Sequence, residues 1–177
     1  MVNPLIKTKG INFGLGYGLY LILLTLYAYV LDNSFFASFW FLGFVIIGFF
    51  VNGFWVIASL KKAQEGYVTF KEAFTVFFIS NAFGLLLSTL ITILIFIVID
   101  PELQTVVKDL TISKTTEMME NFGAPSEAID EAIENIKVQD NFSIAAQIKG
   151  YFSTLAISSI IGLLLSLILK KKKEETY

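Results

Sequence analysis

The sequence predicts an all-α, polytopic membrane protein with four transmembrane helices and an acidic helical hairpin between the third and the fourth. Of its 177 residues, 55% are hydrophobic and only 16% are charged, whereas a soluble domain carries about 25% charged residues. Four segments hold no charged residue, and each has roughly the 20 apolar residues that a membrane-spanning helix needs. All thirteen lysines and all fifteen acidic residues lie outside these segments, and we interpret residues 1–177 as one membrane domain. The predicted spans are residues 11–31, 35–60, 74–99 and 151–169.

The first span, residues 11–31, is expected to stay in the mature protein. Its apolar stretch of 21 residues exceeds the roughly 7–15 residues of a signal-peptide core, and no clear small-residue cleavage site follows it. Gly10, Gly14 and Gly18 recur at every fourth residue and therefore share one face of the helix. Small residues at this spacing let two helix backbones approach closely.

The second span, residues 35–60, is crowded with ten Phe and Trp side chains, which suit lipid contact and the filling of gaps. Trp40 falls near one edge of this span and Trp55 near the other, as in the aromatic belts of membrane interfaces. A ligand site built from these rings is the alternative interpretation.

The loop of residues 61–73 carries the signals that start the third span. Gly66 can end the second helix or supply a turn. Thr69, followed three residues later by Glu72, is a capping-box pattern. We therefore expect the third helix to begin at about Phe70.

Small residues form further stripes on the third and fourth spans. One interpretation is that all stripes pack the bundle internally, and the other is that one stripe contacts a second copy or another membrane protein. The sequence does not assign which stripe does which. The helix-packing candidates are Gly14, Gly18, Ser80, Gly84, Ser88, Ser158, Gly162 and Ser166.

Asn52 and Asn81 place amides within the second and third spans. Asn52 lies nine residues before Lys61 and Asn81 ten residues after Lys71, so both sit about 14 Å inside the lysine level at 1.5 Å per residue. We predict that both face the bundle interior, and a hydrogen bond between them is one arrangement that this depth allows. Such amides either hold the helices together or form a polar substrate site.

Residues 100–150 are too long for a plain loop and are expected to form structure of their own. Asp100 and Pro101 suit a helix start, and apolar residues recur at helical spacing as far as Phe122. We predict a hairpin of two helices at about 101–122 and 125–138. Residues 100–150 hold ten acidic residues and four lysines, so the hairpin forms either a solvated face or a partner-binding surface. The acidic residues lack the spacing of a calcium loop.

The lysines predict the orientation of the chain. The segments before the first span, between spans two and three, and after the fourth hold nine lysines and four acidic residues; the other two connections hold four lysines and eleven acidic residues. Lysine near span ends stays cytoplasmic, so both termini are predicted to be cytoplasmic and residues 100–150 extracytoplasmic. The predicted cytoplasmic anchor is Lys61, Lys62, Lys170, Lys171, Lys172 and Lys173.

Residues 66–74, with the sequence GYVTFKEAF, resemble the central signature of DUF4199, a family of small, uncharacterised membrane proteins found mainly in Bacteroidetes-type bacteria. The Asn3-Pro4 start, the Ile99-Asp100-Pro101 end of the third span and the acidic, Met-containing segment before a Lys-tailed last span are similar to the family as well. The resemblance covers nearly the whole chain. It implies a four-span protein of the bacterial cytoplasmic membrane, and it supplies no catalytic residue.

The composition narrows the function classes. The chain has no His and no Cys, which excludes His general bases, thiol nucleophiles and the usual zinc sites. We expect no catalysis, no cofactor, no metal and no nucleic acid, with the lipid bilayer as the main partner. A structural, accessory or interaction protein is the favoured function, and an oligomeric small-solute or ion channel is the alternative.

Overall fold

In the computed structural model, which describes residues 3–171, the chain forms six α-helices. Four of them are long and apolar enough to cross a membrane, which confirms the predicted all-α fold with four candidate spans. The third span ends in a turn of π-helix at Leu94–Ile99. The helices are α1 (Pro4–Val30), α2 (Phe39–Ala63), α3 (Phe70–Ile93), α4 (Leu103–Asn121), α5 (Ser126–Val138) and α6 (Ile144–Leu169).

Several helix ends differ from the predicted spans because polar caps, rather than the apolar stretch, set them. Helix α1 begins seven residues before the predicted span, at Pro4, where the Asn3 side chain accepts a hydrogen bond from the Leu5 amide at 3.0 Å. The second span was predicted from residue 35, but Asn33–Ala37 forms a 3₁₀ turn and Ser38 caps α2.

The predicted start of the third span is confirmed. Helix α3 begins at Phe70, and Thr69 and Glu72 form a complete capping box, in which each side chain meets the other residue's backbone. Gly66 adopts a φ of +92° in the preceding turn, a conformation that favours glycine.

Helix α3 lies at the centre of the bundle and packs against α1, α2 and α6. Helices α1 and α3 run parallel, because Gly10 meets Ile79 whereas Gly18, two turns later, meets Leu87. A Cβ atom on Gly14 would lie 2.7 Å from the Cβ atom of Phe83. The glycine stripe of the first span therefore faces α3 and permits this close approach.

The Phe77 ring fills the space where α2, α3 and α6 meet. It is 1% exposed. A Cβ atom on Gly53 would lie 2.8 Å from this ring, and one on Gly162 would overlap it. The two glycines thus make the pocket that the ring occupies, and an apolar core extends from there toward the loop between α2 and α3.

One end of the bundle gathers the start of α1, the loop between α2 and α3 and the end of α6; we call it the Lys-rich end. Val68 and Lys171 form an antiparallel backbone bridge, with N–O distances of 2.8 and 2.9 Å. The Lys61 ammonium donates to the carbonyl of Leu169 at 3.1 Å, which satisfies a carbonyl that a helix end leaves unpaired. Lys172 and Lys173 of the predicted anchor lie outside the described residues.

The opposite end, which we call the hairpin end, carries α4 and α5. The two helices pack together as predicted, and α4 also lies against the 3₁₀ turn. Leu103 and Val107 join Ile95 and Phe96 in a second apolar cluster. Phe122 does not continue that face as predicted: it is 86% exposed, because α4 ends at Asn121 and the chain turns at Gly123.

Candidate functional site

Two pairs of polar side chains lie inside the bundle. The Asn52 amide donates to the Ser80 hydroxyl at 3.0 Å, and that hydroxyl donates back to the amide oxygen at 3.1 Å. The Asn81 amide donates to the hydroxyl of Ser158 on α6. Both asparagines are buried, at 7% and 1% exposure.

The two amides do not bond to each other, which differs from the arrangement that their common depth allowed. Ser80 and Asn81 are consecutive on α3 and therefore point about 100° apart. Ser80 consequently meets α2 and Asn81 meets α6. The Asn81 carbonyl oxygen is buried and has no hydrogen-bond partner among residues 3–171. Amides and hydroxyls exchange hydrogen bonds but do not ionise, so these pairs join helices without carrying charge.

The small residues of α3 and α6 occupy two kinds of position. Gly84 lies under the Tyr17 ring and Gly162 beside the Phe77 ring, each where a Cβ atom would overlap the ring. The Ser166 hydroxyl is buried and bonds back to the carbonyl of Gly162 at 2.7 Å. Ser88, in contrast, is half-buried and lines an open pocket rather than a helix contact.

That polar pocket, of about 500 Å³, opens between α3, α6 and the linker before α6. Leu85, the residue of α3 in the pocket lining that is nearest to the core, lies about 6 Å from Asn81 along the helix and about 12 Å from the buried Phe77. The pocket therefore ends well short of the apolar core at the Lys-rich end. Its polar lining consists of Ser88, Thr89, Thr92, Gln139, Asp140, Asn141, Gln147, Lys149, Tyr151, Ser153 and Thr154.

Asp140 gives the rim of this pocket a fixed negative charge. Its carboxylate accepts hydrogen bonds from the amides of Ser143 and Phe142, at 3.0 and 3.2 Å. The bond from the Ser143 hydroxyl, followed by these amide bonds, lowers the pKa of Asp140 below its ordinary value. The carboxylate therefore stays ionised at neutral pH beside the Lys149 that lines the same pocket.

Sequence reasoning missed a third amide, Asn12. It is exposed on α1 and has no hydrogen-bond partner among the residues that the structure describes. Asn12 could have been identified from the sequence, because it lies one turn after Lys9 and therefore shares a helix face with that lysine.

Within residues 3–171, no group of three or more acidic side chains is placed to hold a metal ion. The expectation that the chain works without a metal or cofactor stays a prediction. The anchor lysines take different positions: Lys61 is half-buried on Leu169, whereas Lys62, Lys170 and Lys171 are exposed.

A family model described as a protein of unknown function (DUF4199) matches residues 12–171. Comparison with curated proteins and with solved structures found no match.

Proposed function

We propose that this chain, which belongs to the DUF4199 family of proteins of unknown function, is a non-catalytic accessory or interaction protein of the bacterial cytoplasmic membrane. Since the family supplies no function, the proposal rests on the residues of the chain itself. Both termini lie in the cytoplasm, and residues 100–150 lie outside it. The lysine distribution supports this orientation, since the Lys-rich end unites all three Lys-rich segments.

The observation that carries the accessory role is the filled interior at the Lys-rich end. Val56, Ile57, Leu60, Val76 and Phe77 are each at most 1% exposed and lie between the asparagine pairs and the loop after α2. Ion-coupled transport commonly uses ionisable groups within the membrane, and the four predicted spans contain none. A packed apolar core between the asparagine–serine pairs and the Lys-rich end supports a helix scaffold rather than a solute path.

The surfaces available to a partner lie mainly on the hairpin. Helix α5 packs on α4 and exposes Glu127, Asp130, Glu131 and Glu134. An acidic surface of this kind favours a basic partner, because complementary charge steers association.

The test of this role is the composition of the complex in its native membrane. We expect gentle extraction followed by native mass spectrometry to show a stoichiometric foreign subunit. The fraction of the chain found in that complex should fall when four acidic residues of α5 are replaced by Gln, namely Glu127, Asp130, Glu131 and Glu134. The control Lys62→Gln, at the opposite end, should leave that fraction unchanged. A chain recovered alone from several extraction conditions contradicts the proposal.

The second candidate, an oligomeric channel or small-solute carrier, is favoured by the polar pocket and by the unpartnered carbonyl oxygen of Asn81. A closed homo-oligomer in the same measurement would support it, and ion flux in liposomes would then be the direct assay. Ser88→Leu, which fills the pocket, should abolish that flux, whereas Gly43→Leu on the open face of α2 should not.

The predicted orientation has its own test. We expect replacement of Lys170, Lys171, Lys172 and Lys173 by Gln to weaken the cytoplasmic preference of the C-terminus, because positive charge near a span end holds it inside. Reporter fusions at the C-terminus measure the fraction on each side. Unchanged orientation would show that the lysines at the other inner segments suffice, and a C-terminus found outside in the wild type would refute the topology.

A further inference from the structure

A long apolar groove runs between α1 and α2, on the side of the bundle away from α6. Its volume of about 630 Å³ falls in the range of small-molecule sites. Gly16 leaves its floor open, Gly48 lies under the Tyr20 ring, and the remaining apolar lining comes from Phe13, Tyr17, Ile47 and Val51.

Two side-chain bridges join α1 to α2 near the two ends of the groove. The Lys9 ammonium donates to the Ser59 hydroxyl at 2.8 Å at the Lys-rich end. The Tyr20 hydroxyl donates to the carbonyl of Phe44 at 2.8 Å at the other. Eleven residues of α1 separate these bridges, or about 16 Å, and the lining of the groove from Asn12 to Tyr20 covers about 12 Å of that length.

The Lys-rich end of the groove is rimmed by hydrogen-bond donors. Lys9 holds a positive charge there, and among residues 3–171 no acidic side chain lies within ion-pair distance of it. The Asn12 amide is exposed one turn further along α1. Trp55 lines the same groove from α2 and is 62% exposed.

We propose that this groove binds one anionic phospholipid, with the phosphate at Lys9, Asn12 and Trp55 and an acyl chain along Gly16 toward Tyr20. The order of chemistry along the groove is the order within a phospholipid: a cation and neutral donors at the membrane interface, then a mainly apolar surface, in which the Asn52 amide is already bonded to Ser80. Lys9 has no acidic partner, so an anionic headgroup would gain a favourable charge interaction with it. A zwitterionic headgroup carries its own cation and would gain less from Lys9. The assignment depends neither on the accessory role nor on which side of the membrane the Lys-rich end faces.

The test compares two lipids that differ only in headgroup. Purified protein in detergent receives dioleoyl-phosphatidylglycerol or dioleoyl-phosphatidylcholine, and native mass spectrometry counts the lipids retained per chain. We expect one tightly retained phosphatidylglycerol and weaker phosphatidylcholine. Lys9→Gln should lower phosphatidylglycerol retention about fivefold, the factor expected for one Lys at an anionic lipid surface. Lys71→Gln, an exposed lysine at the same end, should leave it unchanged.

A second variant tests the acyl part of the site. A Cβ atom at Gly16 meets nothing within 4 Å, so Gly16→Leu fills the groove without disturbing helix packing, and Gly43→Leu adds the same bulk to another open position. We expect Gly16→Leu to abolish retention of both lipids at unchanged thermal stability, and Gly43→Leu to preserve it. Equal retention of the two lipids, or retention that survives Gly16→Leu, overturns the proposal. Loss of a homodimer in Gly16→Leu would instead assign the groove to a second copy, which also overturns it.

Discussion

Gly162→Leu is expected to destabilise the bundle strongly, and Phe77→Ala is expected to restore part of that loss when the two are combined. A side chain at residue 162 overlaps the Phe77 ring, and overpacking of this kind costs about 1–3 kcal/mol. Phe77→Ala alone leaves a cavity among buried neighbours and should cost about 3–5 kcal/mol. In the double variant the new leucine occupies the space that the ring has left.

Thermal unfolding of all four proteins in the same detergent checks this expectation. The double variant should lose less free energy of unfolding than the two single variants lose in sum. The difference, which is the coupling energy, should be about 0.5–3 kcal/mol, as found for residues in contact. Gly43→Leu is the matched control, since a side chain there meets open space. Strictly additive losses would show that Phe77 and Gly162 do not share one space.

Gly84→Leu is expected to separate α1 from α3. The Tyr17 ring covers Gly84, so any larger side chain must displace a ring that is itself 4% exposed. Because α1 packs on α3 along three glycines, the displacement should loosen the whole contact and lower the thermal stability in detergent by about 1–3 kcal/mol.

The same substitution at Gly43 gives the comparison for Gly84→Leu as well. A Gly84→Leu protein as stable as the Gly43→Leu control would remove Gly84 from the interface. Cross-linking between cysteines introduced at Leu15 and Leu86, which are both exposed, can report separately whether the two helices still lie side by side.

The sequence was sufficient for those features that depend on local chemistry. Charge-free length predicted the four spans, and the Thr69–Glu72 pattern predicted the start of α3 at Phe70. Apolar spacing predicted two helices in residues 101–138, and their observed ends lie within two residues of the predicted ones. Phe122 was wrongly placed on the apolar face, because α4 ends at Asn121 and leaves that side chain exposed.

Helix pairing could not be predicted, because it depends on complementary shapes that lie far apart in the chain. The stripe at Gly14 identified a close contact but not its partner on α3. Likewise, the depths of Asn52 and Asn81 were informative, but their serine partners follow from the rotation of α3 between its neighbours. The grouping of hydrogen-bond donors near Lys9 could not be predicted either, because it depends on Trp55 of α2 lining the same groove as Asn12 of α1.

The bridge between Val68 and Lys171 has a consequence for biosynthesis. Its two residues are separated by 103 positions, so the contact can close only after the ribosome has finished the last helix. Until then the backbone groups of Val68, which is 2% exposed in the finished fold, lack these hydrogen-bond partners. The backbone pairing of the loop between α2 and α3 is therefore completed only when α6 and Lys171 have been synthesised.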